Sequence, residues 1–327
     1  MKKILATFIL MILTVFSLAA CTEKSTTEKE KTKPNKVESN SNFPITIKHA
    51  KGETVIEKMP ERIVAGDFMV LDHLFALDVV PVATGHVKLA EGFPIYQPYL
   101  KENKDIVALS NDWSTPLDYE KLLAAKPDLI ITYDWAEIDY EKASKIAPTI
   151  VLEAGMNKKL DGEDTDDFSR TFEQVAKAVG KEDAYKEFME DFNNKIEETN
   201  KLVNDNGLNS KTTLFIMAGE KSYDVRDHIF YFSKLGLKPI ESLHGANLKN
   251  YQIDLETLVK SNPDILFIAE NYNNRTGAVE KLLANEAFKQ TNAAKNNQVY
   301  TIDTAAFGPA ALGKSYGVEI INESLSK

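Results

Sequence analysis

The sequence predicts an α/β protein of two Rossmann-like lobes, each with a parallel-type sheet, joined by one long α-helix. Three observations carry that expectation. Strand-like runs alternate with helical ones, which implies parallel strands linked by helical crossovers. The stretch LDYEKLLAAKPDLII, from Leu117, has a counterpart in IDLETLVKSNPDILF, from Ile253. Between the copies lies a charged segment of helical period. At 327 residues and 43% hydrophobic content, the chain is long enough for two ordinary domains.

Taken in order, the chain opens with MKKILATFILMILTVFSLAAC, two lysines ahead of an apolar run that ends in small residues before Cys21. Residues 1–20 therefore read as an export signal. LAAC resembles the lipobox of bacterial lipoproteins, which implies cleavage before Cys21 and a diacylglycerol on its sulfur as the lipid attachment. A free buried thiol or a one-pass anchor is the alternative. Residues 21–42 hold no large apolar side chain except Val37, and Pro34 interrupts their charged run, so they read as a disordered tether.

Residues 43–165 form the expected N-terminal lobe. FPITIKHAKGETVIE alternates apolar and polar residues around Lys51 and Gly52 and predicts a β-hairpin. RIVAGD, VVPVATG, IVALS, DLIITYD and APTIVLE read as strands, with helices expected over 70–78, after Asp118 and near 139–146. Residues 166–206 form the connecting segment, with apolar positions at Tyr185, Phe188, Phe192, Ile196, Leu202 and Val203. The helical period runs from Lys181 to about Asn204, and a helix of about 24 residues is a rod of roughly 36 Å, enough to bridge two lobes or to lie along the surface of one. Residues 207–327 form the C-terminal lobe, with strands in KTTLFIMAGE, LKPIES, DILFIAE and QVYTID and a last helix from about Gly313 to Leu325.

The repeated pattern has a physical grammar. Asp118 and Asp254 can cap a helix, Glu120 and Glu256 sit in its positively polarised first turn, and Pro127 and Pro263 end it before a buried strand. Helix, proline and strand are common in any α/β chain. The equal spacing in both copies, and the upstream likeness of VLDHLFALDVVPVATG to IFYFSKLGLKPIES, argue for two similar lobes.

In parallel α/β sheets, ligands sit beyond the carboxyl ends of the strands. Those loops hold Phe68, Met69, His86, Trp113, Tyr133 and Trp135 in the first lobe. In the second they hold Tyr223, Arg226, His228, Tyr251, Tyr272, Arg275 and Phe307. Each aromatic can serve as packing over a sheet end, but as a set they suit a ligand with apolar surface. His73, on a helix, reads as ordinary. The formal net charge of −10 and only four arginines exclude nucleic acid as a partner. A single cysteine excludes an internal disulfide. No HExxH motif and no His/Asp/Glu cluster at metal spacing occurs, and no enzyme, resident metal or cofactor is expected.

The lipobox, the polar tether, PERIVAGD, the paired Glu-to-PD motifs, the charged connecting helix, APTIVLE and VYTID, in that order, resemble the iron-siderophore substrate-binding lipoproteins of ABC importers. The resemblance covers the chain from Cys21 onward. It implies a monomeric protein held by its lipid on the outer face of the cell membrane, with a ferric siderophore as transported ligand between rigidly joined lobes. It also implies that Glu120 and Glu256 dock onto the two ABC permease subunits, where capping alone would otherwise explain them. Few cleft arginines favour a hydroxamate or citrate-hydroxamate complex over a strongly anionic one. Three rivals stand beside this reading. Haem would need an axial ligand such as Met69, a tyrosine or His228; free metal would need converging ligands; a hydrolase would need a nucleophile with its base.

Overall fold

The computed structural model describes residues 43–112, 114–136, 138–153, 168–226, 228–247, 251–270 and 277–327. The export signal, Cys21, the tether, Trp113, Tyr272 and Arg275 lie outside the described residues. The alternating N-terminal stretch pairs antiparallel as β1 (Ile45–His49) and β2 (Gly52–Ile56) across the turn at Ala50 and Lys51. Then follow β3 (Ile63–Ala65), α1 (Phe68–Ala76), β4 (Ala83–Thr84), α2 (Val87–Gly92), α3 (Gln97–Glu102), β5 (Val107–Ala108) and α4 (Tyr119–Ala124). β6 (Leu129–Tyr133), α5 (Tyr140–Ala143) and β7 (Thr149–Leu152) complete a five-stranded sheet of order β5-β4-β3-β6-β7, parallel throughout.

Two helices follow, α6 (Ser169–Ala178) and α7 (Glu182–Asp205). The 24 residues of α7 match the predicted rod, and Glu182 and Asp183 in its first turn suit the positive end of the dipole. The sequence reading started its helix at Lys181 and left α6 unassigned. Gly180, at φ +66, turns the chain between them.

The second half runs β8 (Thr212–Ala218), β9 (Tyr223–Val225), α8 (Ile229–Leu235), β10 (Lys238–Pro239), β11 (Gln252–Ile253), α9 (Leu255–Ser261) and β12 (Ile265–Glu270). It closes with α10 (Ala278–Ala284), α11 (Asn292–Lys295), β13 (Val299–Thr301), a 3-10 turn over Thr304–Phe307 and α12 (Ala311–Leu325). β10, β8, β12 and β13 are parallel neighbours. β9 and β11 add an antiparallel extension, with β10 pairing the start of β8 and β9 its end.

The order β10-β8-β12-β13 repeats β4-β3-β6-β7, with α8 in the place of α1 and α9 in the place of α4. The duplicated sequence is thus a duplicated topology. Asp118 caps α4 by accepting from Glu120 N and Lys121 N, and Asp254 caps α9 by accepting from Thr257 N. The aspartate after each proline clamps two strands together. Asp128 accepts from Glu61 N and Arg62 N at 2.9 and 2.8 Å, ahead of β3. Asp264 accepts from Thr212 N at 2.9 Å, at the start of β8.

Alternation along the strands divides the core. Val64 and Ile130 face an outer cluster with Leu122 of α4, and Leu214, Ile216 and Leu266 face its counterpart with Leu258 of α9. The opposite faces of both sheets join one cluster: Ala65, Leu129 and Ile131 share it with Phe215, Phe267 and Ile302 through α1, α6, α7, α8 and α12. Along α7, Phe188 meets Phe172 at 5.1 Å, Phe192 meets Phe168 at 5.2 Å, and Phe192 stacks on Phe230 of α8 at 5.7 Å.

This division of labour makes a prediction. Asp128→Ala and Asp264→Ala, which each strip charge-assisted bonds from a strand start, should each lower unfolding free energy in urea by about 1–3 kcal/mol. Glu120→Ala and Glu256→Ala, whose side chains are exposed, should change it by about 0.5 kcal/mol or less.

Candidate functional site

The described first-sheet candidates lie where loops leave the carboxyl ends of the parallel strands. In the second sheet antiparallel β9 runs back along β8 and carries Arg226 to the middle of that strand, beside Phe215, not to its carboxyl end as the loop reading expects. In the first sheet two glycines allow the crowding. A Cβ on Gly66 would lie 2.6 Å from Thr132 of β6, and one on Gly85 would run into the Gly66 carbonyl. Gly66 N donates to Ile131 O at 2.7 Å, and Gly85 N donates to Ala65 O at 2.9 Å. Only residues without side chains let the loops after β3 and β4 press against each other and against β6.

That crowding sets an aromatic row. Tyr133 stacks on Trp135 at 6.2 Å between ring centroids, and Trp135 stacks on His86 at 6.1 Å, with interplanar angles of 20° and 14°. These separations lie in the range of favourable ring contacts. Trp135 is half-buried, so the row keeps a face toward the sheet end. His86, in the left-handed region at φ 53, precedes α2 and takes a bond from its own N–H to Ser110 Oγ at 2.9 Å. Burial lowers its pKa, against the nearby Asp112 charge, which raises it.

Phe68 and Met69 stand in the first turn of α1, and both belong to the shared apolar core. Phe68 stacks on Phe93 at 6.1 Å. Tyr133 is also buried: its hydroxyl donates to Thr171 Oγ1 at 3.1 Å and lies 2.9 Å from His73 Nε2. Tyr133 thus links the core to Trp135 and, through it, to His86. His73 is fully buried against Phe168 and Phe172, and burial drops its pKa to about 3, so it is a neutral core histidine.

The second sheet offers a different wall. Tyr223 on β9 lies beside Ala218 at the end of β8, and Arg226 N donates to Phe215 O at 2.9 Å. Arg226 Nη2 donates to Met217 Sδ at 3.5 Å. His228 stacks on Phe307 at 5.0 Å. Burial first, then the Lys314 and Arg226 charges, hold its pKa well below the usual histidine range, so it is neutral. Tyr251, 65% exposed, stands at the rim before β11. The described wall residues thus offer aromatic faces, phenols, neutral imidazoles and the Arg226 guanidinium. Among the described residues no group of three or more His, Cys, Asp or Glu is placed to hold a metal ion.

A groove of about 550 Å³, lined by Arg62, Pro81, Asp105 and Lys121 among others, lies at the amino-terminal ends of β3, β4 and β5. None of the predicted site residues lines it, and it is at the wrong end of a parallel sheet for a ligand of the usual kind.

Comparison with known proteins agrees with this architecture. Residues 63–306 match the family described as periplasmic binding protein. The petrobactin-binding protein YclQ of Bacillus subtilis is 29% identical over 339 residues, covering 99% of this chain and 98% of that one. The ferric-anguibactin-binding protein FatB of Vibrio anguillarum is 28% identical over 272 residues, covering 81% of each. The crystal structure of YclQ superposes with a TM-score of 0.71 at 22% identity, covering 86% of this chain and 99% of that one, which establishes the same fold.

Asp67 gives the site a measurable signature. It caps α1 by accepting from Met69 N and Val70 N at 2.8 and 3.1 Å, and burial pushes its carboxyl up to about 7 against those bonds. A folded pKa above the unfolded value of about 4 means that the folded state binds the extra proton, so this group's contribution to stability falls as pH rises from about 4 to about 7. Asp67→Asn removes the titration. Its unfolding free energy minus that of wild type should therefore climb across that window and level off above it; a difference independent of pH would contradict the assignment.

Proposed function

The chain belongs to the periplasmic binding protein family, and from that premise we propose that it captures a ferric siderophore between its lobes and delivers it to an ABC permease. Membership makes it a binding protein rather than an enzyme. The observation that carries the siderophore reading is the pair of aromatic walls, His86 with Trp135 and Tyr133 on one sheet and His228 with Phe307 on the other. A chelator that already fills the coordination shell of iron needs outer contacts of this kind and no ligand from the protein. YclQ and FatB, named for petrobactin and ferric-anguibactin, support the class.

A hydroxamate or citrate-hydroxamate complex is the favoured ligand. Arg226 would meet an acceptor oxygen on it, while Trp113, Tyr272 and Arg275 would complete the walls. The chain would work as a monomer, tethered through the lipid on Cys21 to the extracytoplasmic face of the cell membrane. Residues 43–165 and 207–327 would act as the two lobes, with 166–206 between them.

Titration of tryptophan fluorescence with ferric hydroxamate, ferric citrate-hydroxamate, ferric catecholate and haem tests the ligand class directly. Saturable quenching by a ferric siderophore is expected, and Trp135→Ala should weaken it by about 1–3 kcal/mol. Binding of haem alone, with a Soret band, would overturn the reading.

The docking role of Glu120 and Glu256 is supported by their equivalent places in α4 and α9 and by their exposure. Neither carboxylate forms an ion pair among the described residues. Glu120→Lys with Glu256→Lys should bind siderophore as wild type does and fail to support uptake, because reversal sets like charges face to face. Normal uptake by the double variant at normal expression would leave both residues as helix grammar.

A further inference from the structure

Asp72 reaches from the first half of the fold into the backbone of the last helix. It lies on α1, fully buried, and its Oδ1 accepts from Leu312 N at 2.7 Å. Its Oδ2 accepts from Gly313 N at 3.0 Å and from the Tyr96 hydroxyl at 2.7 Å. Leu312 and Gly313 open α12, so the two N–H groups are among those a helix leaves without an internal partner. A negative charge there also meets the positive end of the helix dipole. No side chain of the preceding residue, Ala310, caps α12. Asp72 does that work from 240 residues away.

Both ends of this contact are short, stiff steps from the candidate walls. Phe68, a predicted site residue in the first turn of α1, is one helical turn before Asp72 on the same side of that helix. Phe307, which stacks on His228 in the second wall, ends the 3-10 turn that leads into α12. The surrounding interface between α1, α7 and α12 is largely apolar. Apolar burial is non-directional and tolerates sliding, whereas three short bonds to one carboxylate fix a register.

We propose that Asp72 is a positioning residue for ligand capture, whose carboxylate, by fastening the first turn of α12 to α1, sets how the two aromatic walls stand relative to each other. It does not touch the ligand. The residue that carries this role was visible in the sequence only as an anomaly, an aspartate within the apolar run VLDHLF.

The proposal rests on the siderophore reading for its binding arm alone, and its first test needs no ligand. Spin labels at Leu123→Cys on α4 and Leu283→Cys on α10, both exposed, in the full chain carrying Cys21→Ser, report the separation of the two sheets by pulsed dipolar spectroscopy. Asp72→Ala should shift or broaden the distance distribution while far-ultraviolet circular dichroism stays that of a folded protein. Asp72→Asn, of the same shape, keeps one acceptor oxygen and loses the other; it should fall between, and it decides the matter if Asp72→Ala does not fold. Distributions that superimpose on wild type in the folded variants overturn the proposal. In the second arm, affinity for a ferric citrate-hydroxamate should fall about tenfold in Asp72→Ala, as it does when about a tenth of molecules hold the competent arrangement. A shifted distribution with unchanged affinity would also overturn it. Absence of binding to wild type would instead count against the siderophore reading, with the distance measurement still deciding the role of Asp72.

Discussion

The apolar core shared by the inner faces of the two sheets is the constraint on which the rest of the molecule depends. Phe215 and Phe267 from one sheet and Leu129 and Ile131 from the other belong to a single cluster, linked by the phenylalanines of α6, α7 and α8. Parting the sheets would expose several rings at once. At about 25 cal/mol per Å² and 150–250 Å² per ring, each ring exposed costs several kcal/mol. Wide hinge opening is therefore opposed by the same contacts that stabilise the fold. Polar links reinforce the arrangement at the edges: Lys195 of α7 pairs with Glu319 of α12 at 3.1 Å, and Asn322 donates to Thr199 Oγ1 at 3.0 Å.

Much of this was legible because it is written in local chemistry. The first aspartate of each copy of the repeated pattern announces a cap, the prolines mark strand starts, and the period of Phe188, Phe192 and Ile196 announces α7. The clamps made by Asp128 and Asp264 emerge only in the structure. Other parts were hidden for physical reasons. β9 and β11 are three and two residues long, too short for alternation to register, and among the described residues they bring the antiparallel pairs of the second sheet. The strands read from VVPVATG and IVALS shrink to two residues each, β4 and β5, because the sheet pairs only where its twist keeps neighbours in register.

The candidate site shows the same division. Loop position after a parallel strand is enough to put His86, Trp135 and Phe307 beyond strand ends, since topology alone decides that, but Arg226 follows the antiparallel β9, which returns it to the middle of β8. Depth was not legible. Phe68, Met69 and Tyr133 lie at the same ends but belong to the buried core cluster, and no local pattern separates a buried residue there from a half-buried one such as Trp135. Asp72 and Tyr96 could not be assigned, because the carboxylate they share is also held by backbone up to 241 residues away.

Hydrogen–deuterium exchange of the full chain, with and without a saturating ferric siderophore, tests most directly whether the ligand sits between two sheets that share one core. Protection should rise together in the segments around Gly85–Leu89, Tyr133–Ala136, Tyr223–His228 and Ala305–Gly308, with the α7 amides slow to exchange in both states. Protection confined to one sheet, or centred on the groove at Arg62 and Lys121, would contradict the account.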